Sequence, residues 1–253
     1  NVVGVYGEGF DKLKIIQESG NPNVRCMELD TSSLASVRCF ASAYEKEDCG
    51  SVYALLCNAG ISGKQTGITK DGFDIIFETN YLGHFLLTEL MLPHIETNGK
   101  IFVTSSDMHD APGRKMQWIG TEKLAHPDSF MATDSIRYFY SKLCNLYFVY
   151  ELARRLKEDR KILVNAFNPG LMQTNFMPLN KFFIEFVKRT MPKRFGDLKM
   201  SSNALVELVT SERLVTGSGL YYDRCINACR SSALSYDIDN AKELWLASED
   251  YIK

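Results

Sequence analysis

Short apolar runs alternate along the chain with longer segments whose apolar residues recur at helical spacing. The apolar runs predict strands at Val2–Val5, Val24–Leu29, Val52–Cys57, Ile101–Thr104, Ile162–Phe167 and Gly219–Tyr222. The helical spacing predicts helices at Phe10–Ile16, Leu34–Tyr44, Asp71–Asn98, Ser135–Lys157, Leu179–Lys188, Ser201–Thr210 and Ala241–Asp250. Strands and helices alternating in this way predict one α/β domain over residues 1–253, doubly wound around a mostly parallel sheet.

Composition and charge narrow the class of protein. The chain has 253 residues, 45% of them hydrophobic, and a formal net charge of −2. No long run of like charges occurs, so neither a nucleic-acid partner nor an anionic membrane surface is expected. No apolar run is long enough to span a bilayer, and the seven scattered cysteines suit a reducing compartment, which predicts a cytoplasmic protein. The dispersed histidines and the isolated Cys225 and Cys229 predict no metal site.

Small or polar residues follow four of the predicted strands. Asp30 follows the second strand, Asn58-Ala59-Gly60 the third, Ser106 the fourth and Pro169-Gly170 the fifth. The carboxyl ends of parallel strands meet at one edge of a sheet, and ligands of open α/β folds bind there. The sequence therefore predicts a binding site built from these residues.

Tyr138 and Lys142 lie four residues apart in a predicted helix, so their side chains share one face. A free tyrosine has a pKa of about 10, and a nearby ammonium group favours the phenolate and lowers that pKa. The phenol then becomes a usable acid or base, and the Ser106 hydroxyl can hold the oxygen that exchanges the proton. Taken alone, the pair is more typical of an exposed helix surface. Together with Ser106 and Pro169-Gly170, it favours proton transfer to or from a carbonyl oxygen.

At these residues the sequence resembles the short-chain dehydrogenase/reductase family along essentially its whole length. The matching marks occur in the family's order: Asn58-Ala59-Gly60, Asn80, Ser106, Tyr138 with Lys142, and Pro169-Gly170 with Thr174. Longer stretches are similar to the branch of retinol dehydrogenases and light-dependent protochlorophyllide reductases, namely Leu56–Gly60, Thr79–Phe85, Ser141–Asn145, Glu151–Leu156 and Leu244–Glu249. The resemblance implies a Rossmann-like fold and hydride transfer with a nicotinamide cofactor.

The resemblance also implies a role for each matching residue. Tyr138 is the general acid or base, Lys142 lowers its pKa and holds the nicotinamide ribose, and Ser106 orients the substrate oxygen. Asn80 interrupts its helix and anchors a water chain toward Lys142. The other positions are implied in cofactor binding: Asp30 at the adenine amino group with Thr31 beside it, Asn58, Ala59 and Gly60 at the adenosine and ribose, and Pro169, Gly170, Leu171 and Thr174 around the nicotinamide ring.

Two departures from the family's pattern concern the cofactor. No G-x-x-x-G-x-G phosphate loop occurs in the chain, and the family's first strand and this loop are expected before Asn1. We therefore expect a fragment lacking about thirty upstream residues, with the missing strand between those at Val2 and Val52, and an upstream anchor or signal stays open. The strand ending at Val5-Tyr6 has no aspartate for a 2′-hydroxyl, which favours NADP(H) over NAD(H), although it also lacks the arginine that this branch often uses for a 2′-phosphate.

A long segment, Met108–Thr133, separates Ser106 from Tyr138 and predicts a loop on the substrate side. A bulky lipophilic carbonyl compound or alcohol suits its apolar residues, Met116, Trp118, Ile119, Phe130 and Met131. The aromatic segment Lys181–Val187 is expected to cover the pocket as a helix, and a membrane surface or an oligomer contact is the alternative.

Two positions beside the fourth strand have more than one interpretation. Strand alternation lets only one of Ser105 and Ser106 face the pocket, and the family match selects Ser106. His109 follows this strand closely and can touch the substrate, although a structural role is the more usual one for a lone histidine.

Several polar residues can instead serve as helix caps. Asp30 is either a cap or an adenine ligand, and Thr31 or Ser32 can cap the helix at Leu34–Tyr44. Thr174 can likewise cap the helix that follows it.

The leading hypothesis is an NADP(H)-dependent oxidoreductase that transfers a hydride between the cofactor and a lipophilic carbonyl compound or alcohol. Reduction of a ring double bond, with Tyr138 as the proton donor, is the alternative within enzymes. A catalytically silent dinucleotide sensor or scaffold is the alternative among proteins that are not enzymes. The Ser106, Tyr138 and Lys142 set disfavours this alternative, and the absent phosphate loop favours it. The expected partner is a small molecule, and a homo-oligomer is left open.

Overall fold

The fold is that of a computed structural model, which describes residues 2–6, 12–62, 66–128, 134–156, 161–171, 189–190, 197–215 and 217–253. Its strands are β1 Val2–Tyr6, β2 Val24–Glu28, β3 Val52–Cys57, β4 Ile95–Thr104, β5 Leu163–Asn168, β6 Leu220–Asp223 and β7 Ala228–Cys229. Its helices are α1 Lys12–Ser19, α2 Leu34–Lys46, α3 Ile75–Phe77, α4 Gly83–Met91, α5 Thr121–Ala125, α6 Asp134–Arg155, α7 Leu198–Thr210 and α8 Ile238–Tyr251. A π-helical segment, Glu78–Leu82, joins α3 to α4. The predicted helix Leu179–Lys188 lies outside the described residues.

The strands form two hydrogen-bonded groups. β1 pairs with β2, and β3, β4, β5 and β6 follow one another through parallel pairing. β7, which the sequence did not predict, runs antiparallel to β6. In the part of the chain that the structure describes, no strand is hydrogen-bonded to both groups. The prediction of a mostly parallel sheet is confirmed, and this pairing brings the carboxyl ends of β3, β4 and β5 to one edge.

The helix predicted to begin at Asp71 begins at Ile75. The Asp74 carboxylate caps it, because one oxygen accepts hydrogen bonds from the amides of Ile76 and Phe77 at 3.1 and 3.0 Å. The helix therefore begins four residues later than the sequence suggested.

The predicted end of this helix near Asn98 is wrong. α4 ends at Met91, because Pro93 has no backbone N–H and cannot continue the helical hydrogen bonds. β4 therefore begins at Ile95, well before the predicted start at Ile101.

α6 passes through the middle of the core. Every side chain from Tyr140 to Leu152 is buried, because the helix packs on β5, the π-helical segment and α8. A helix buried all round must satisfy its polar side chains internally, and this one buries Ser141, Lys142, Asn145 and Glu151. Among the described residues, no helix combines the length and the apolar character needed to cross a bilayer.

Candidate active site

The π-helical segment holds Asn80 in the interior. The Asn80 side-chain oxygen accepts a hydrogen bond from the Ile61 amide at 2.7 Å. Its side-chain nitrogen donates to the Ile61 carbonyl and to the Ser141 hydroxyl, both at 3.0 Å. Widened helical turns of this kind are frequent at functional sites. Asn80 thus joins the turn after β3 to α6.

The two serines at the end of β4 have different partners. The Ser105 hydroxyl is buried and donates to the Lys142 backbone carbonyl at 2.9 Å. The Ser106 hydroxyl donates to the Asp107 carboxylate at 3.3 Å, accepts from the Met108 amide at 3.2 Å and is also hydrogen-bonded to the Tyr138 side chain. The geometry therefore gives Ser106, and not Ser105, the position beside Tyr138.

Lys142 lies beside Tyr138 on α6, as the four-residue spacing predicts. Its ammonium nitrogen is 5.5 Å from the centroid of the Tyr138 ring and 3.2 Å from the Thr104 carbonyl, to which it donates. Asn145 donates to the same carbonyl at 3.0 Å. The structure thus brings Ser106, Tyr138 and Lys142 together at the carboxyl end of β4.

Burial sets the protonation of both ionisable groups. It raises the pKa of Tyr138 to about 12, although the hydrogen bond with Ser106 opposes this rise. It lowers the pKa of Lys142, which is only 3% exposed, to about 8. The expectation of a lowered Tyr138 pKa is therefore not met in this structure, because burial raises that pKa and the nearby Asp107 carboxylate adds to the rise. Tyr138 is a neutral phenol at pH 7.

Comparison with known proteins relates this chain to a family. The family model described as short chain dehydrogenase matches residues 2–126. WW domain-containing oxidoreductase of Gallus gallus is 29% identical over 249 residues, which cover 95% of this chain and 58% of that protein. Retinol dehydrogenase 14 of Mus musculus is 39% identical over 150 residues, which cover 58% of this chain and 42% of that protein.

The chain belongs to the short-chain dehydrogenase/reductase family. It spans less than two thirds of the length of these relatives. A short-chain dehydrogenase from Burkholderia cenocepacia in complex with NADP matches it with a TM-score of 0.67 at 21% identity, over 90% of this chain and 88% of that one. This likeness confirms the predicted Rossmann-like fold.

In this member of the family the turn after β3 is open to solvent. Asn58 and Ala59 are exposed, and the Asn58 side-chain oxygen accepts from the Thr104 hydroxyl at 2.9 Å. The Ala59 carbonyl accepts from Nε2 of the buried His84 at 2.7 Å, and burial lowers the pKa of His84 to about 4. A neutral, buried histidine therefore holds this turn in place.

Gly60 lets the Asn80 side chain approach the turn after β3 closely. A Cβ atom at this position would lie 2.9 Å from the Asn80 side-chain oxygen and 3.8 Å from the Lys142 ammonium nitrogen. A larger residue at this position would therefore displace Asn80. The exposed Asn58 and Ala59 of the same turn are open to the cofactor that the family implies.

Asp30 and Thr31, at the end of β2, have separate surroundings. Asp30 is exposed, and its carboxylate accepts from the Ser32 amide at 2.9 Å and from the Ser32 hydroxyl at 2.6 Å. The cap of α2 is Ser33, which corrects the expectation of a cap at Asp30, Thr31 or Ser32. Thr31 is buried, and its carbonyl would lie 2.1 Å from a Cβ atom at Gly83, so that glycine permits the close packing.

The turn after β5 carries the remaining cofactor candidates. Gly170 has a φ of +82°, the left-handed conformation that favours glycine. The Pro169 carbonyl accepts from the Ser201 hydroxyl of α7 at 2.8 Å, and Leu171 is half-buried. Thr174 lies outside the described residues, so its contact with the nicotinamide ring stays a prediction.

The described part of the predicted substrate loop packs on the core. The Trp118 ring stands edge-on to Tyr147 with centroids 5.1 Å apart, and its N–H donates to Glu243. Met116 and Ile119 pack against the same core. These three side chains are thus engaged by the protein itself. Outside the described residues lie Phe130, Met131 and the aromatic segment Lys181–Val187.

Three contacts of the site were missed by sequence reasoning. His84 at the Ala59 carbonyl, and Thr104 and Asn145 around Lys142, become visible only when the strands and α6 are packed together. The signal for Asn145 was its place one helical turn after Lys142. In the described ranges, no three histidine, cysteine, aspartate or glutamate side chains converge as metal ligands.

Proposed function

We propose that this protein is an NADP(H)-dependent oxidoreductase acting on a carbonyl compound or the corresponding alcohol. The observation that carries the proposal is the meeting of Ser106, Tyr138 and Lys142 at one strand end. The cofactor supplies a hydride when bound, and the Asn58-Ala59-Gly60 turn, Lys142 and the Pro169-Gly170 turn would hold it. These residues belong to three separate elements that meet only in the folded chain.

The protonation of Tyr138 supports reduction of a carbonyl group. A phenol whose pKa is about 12 is protonated at pH 7 and can act as a general acid. Ser106 would donate a hydrogen bond to the carbonyl oxygen, and Tyr138 would give that oxygen its proton as the carbon receives the hydride. The product is an alcohol. Lys142, with a pKa of about 8, is suited to return a proton to the phenolate.

Preference for NADP(H) and for a lipophilic substrate is part of the proposal. The end of β1, Val5-Tyr6, has no carboxylate that would select a ribose 2′-hydroxyl. The similarity to retinol dehydrogenase 14 supports a lipophilic alcohol or aldehyde as the substrate class. All seven cysteines are free, which supports a reducing compartment such as the cytoplasm. A homo-oligomer stays a prediction.

The decisive test compares two tyrosine variants of the same helix. Retinal-type and other apolar aldehydes are assayed with NADPH and with NADH, following the oxidation of the cofactor. Tyr138→Phe is expected to lower kcat by about 10²- to 10⁴-fold, because the proton donor is lost. Tyr140→Phe is the matched control, since its hydroxyl donates to the Gln117 carbonyl at 2.7 Å and serves packing.

Three results would contradict the proposal. Equal turnover of wild type and Tyr138→Phe would exclude Tyr138 as the proton donor. Cofactor binding without turnover of any carbonyl substrate would favour a sensor. Turnover only with a substrate that contains a conjugated double bond would favour the double-bond reductase.

A further inference from the structure

The His109 ring is buried behind the turn that carries Ser106. It is 4% exposed, and both of its nitrogens bind backbone groups. Nδ1 lies 2.5 Å from the Ser106 carbonyl, and Nε2 lies 3.0 Å from the Ser232 amide. The Tyr221 ring packs edge-on against the imidazole, with centroids 5.4 Å apart. His109 is therefore engaged by the protein on all these sides, in place of the substrate contact that the sequence left open.

These partners determine the tautomer of His109. A backbone amide can only donate, so Nε2 must present a lone pair to Ser232. A carbonyl can only accept, so Nδ1 must carry the hydrogen that it donates to Ser106. Burial lowers the pKa of His109, which maintains this neutral form at pH 7. A single tautomer thus makes both hydrogen bonds.

The amide bound by Nε2 belongs to a short segment, Arg230–Tyr236, which we call the C-terminal strap. The strap is bonded to α6 at two places. The Ser231 hydroxyl is 2.6 Å from the Tyr150 hydroxyl, and the Tyr147 hydroxyl donates to the Leu234 carbonyl at 3.0 Å. The strap therefore has contacts with the helix that carries Tyr138 and with the histidine beside Ser106.

We propose that His109 is a positioning residue. It hydrogen-bonds the turn after β4 to the C-terminal strap and so keeps the Ser106 hydroxyl at a fixed distance from the Tyr138 side chain, a spacing that we call the register. Ser106 and Tyr138 lie on different elements, and their hydrogen bond requires those elements to keep one separation. The strap bonds to α6 directly and to the Ser106 turn through His109. The inference rests on the proposed function, since this register affects turnover only if Tyr138 donates the proton.

Three variants separate the two bonds of His109. His109→Asn places a side-chain N–H near the position of Nδ1 and gives up the acceptor at Nε2. His109→Gln places an acceptor near the position of Nε2 and gives up the donor at Nδ1. His109→Ala removes both. Val37→Ala, a core substitution on α2, is the control for lost stability without a changed site.

Steady-state kinetics with NADPH and an apolar aldehyde is the first measurement. We expect His109→Ala to lower kcat about tenfold or more, because small displacements of reacting groups cost this much, while KM for NADPH stays within about twofold. The Asn and Gln variants should retain an intermediate kcat. Val37→Ala should lower stability and leave kcat unchanged. An unchanged kcat in His109→Ala, with stability lowered as in the control, would overturn the inference.

A second measurement needs no substrate. The ¹³Cζ resonance of Tyr138 at pH 7, assigned by its loss in Tyr138→Phe, reports the hydrogen bonding of the phenol. It should shift in His109→Ala and stay in place in Val37→Ala. A shift in a protein whose wild type turns over no carbonyl substrate would support the register and contradict the proposed function. A resonance that does not move would overturn the register, whatever the activity.

Discussion

Arg137 and Asp74 form a buried ion pair between α6 and the cap of α3. The guanidinium nitrogen lies 2.5 Å from the carboxylate oxygen, and the side chains are 7% and 1% exposed. Arg137 immediately precedes Tyr138, and Asp74 begins the helix that leads to Asn80. The pair thus joins two elements of the candidate active site.

Removal of the Arg137 charge should cost far more stability than removal of an exposed one. Arg137→Met leaves the Asp74 carboxylate buried without its cation, which is expected to lower the free energy of unfolding by about 3–5 kcal/mol. Lys14→Met is the matched control, because Lys14 and Glu18 are both 67% exposed and such pairs contribute about 0–1 kcal/mol. Urea unfolding measures both losses. Equal losses in the free energy of unfolding would show that the buried ion pair stabilises the protein no more than the exposed one.

The two serines at the end of β4 should respond differently to substitution by alanine. Ser106→Ala removes the proposed donor to the substrate oxygen and should lower kcat about 10²-fold or more. Ser105→Ala removes one hydrogen bond to the Lys142 carbonyl, which is expected to cost about 1 kcal/mol of stability and to leave kcat within a few-fold. Steady-state kinetics measures kcat of both serine variants, and urea unfolding measures their stability. A larger kcat loss in Ser105→Ala would reverse the assignment.

Lys142 makes stability depend on pH in the alkaline range. Its pKa is about 8 in the folded protein, against 10.5 for an ordinary lysine. Between these values the unfolded chain binds a proton that the folded chain does not, so the free energy of unfolding rises with pH. Relative to Lys142→Met, wild type should gain on the order of a few kcal/mol from pH 8 to pH 10.5. A constant difference between the two proteins over this range would refute the lowered pKa.

Glu78 should give the opposite slope at lower pH. This fully buried carboxyl group has a pKa raised to about 8, chiefly by burial, against an ordinary value of 4.5. Between these values the unfolded chain releases a proton that the folded chain keeps, so the free energy of unfolding falls as pH rises.

Glu78→Gln carries no such ionisation and tests this slope directly. Its stability relative to wild type should increase from pH 5 to pH 8, by on the order of a few kcal/mol. Thermal unfolding at a series of pH values provides the comparison. A relative stability that does not change with pH would mean that Glu78 is ionised in the folded protein.

Gly60 should tolerate no side chain while Asn80 is present. Gly60→Ala places a methyl group 2.9 Å from the Asn80 oxygen, and crowding of this kind typically costs about 1–3 kcal/mol. The loss should be smaller when Asn80→Ala is introduced first, because the crowded atom is then absent. A double-mutant cycle of unfolding free energies measures this coupling. Additive losses in the free energy of unfolding would mean that the side chain at position 60 does not interact with Asn80.

Much of the fold and of the site could be predicted from local patterns. The four-residue spacing of Tyr138 and Lys142 places them on one helix face whatever the rest of the chain does, and the structure places them so. The strand ends at Asn58-Ala59-Gly60 and Ser106 were predicted by apolar runs that stop at polar residues. The helix end near Asn98 was mispredicted, because the apolar pattern continued past Pro93 while the backbone could not.

The sequence by itself determined which chemical groups are present, their order, and the spacing that brings Tyr138 and Lys142 onto one face, because helix geometry is local. Only the tertiary structure decided their protonation. The pKa of Tyr138 and of Lys142 depends on how completely distant segments exclude water from them. The tertiary structure also decided that His109 binds Ser232, more than a hundred residues along the chain. A hydrogen bond between such distant residues forms only when packing closes the loop between them.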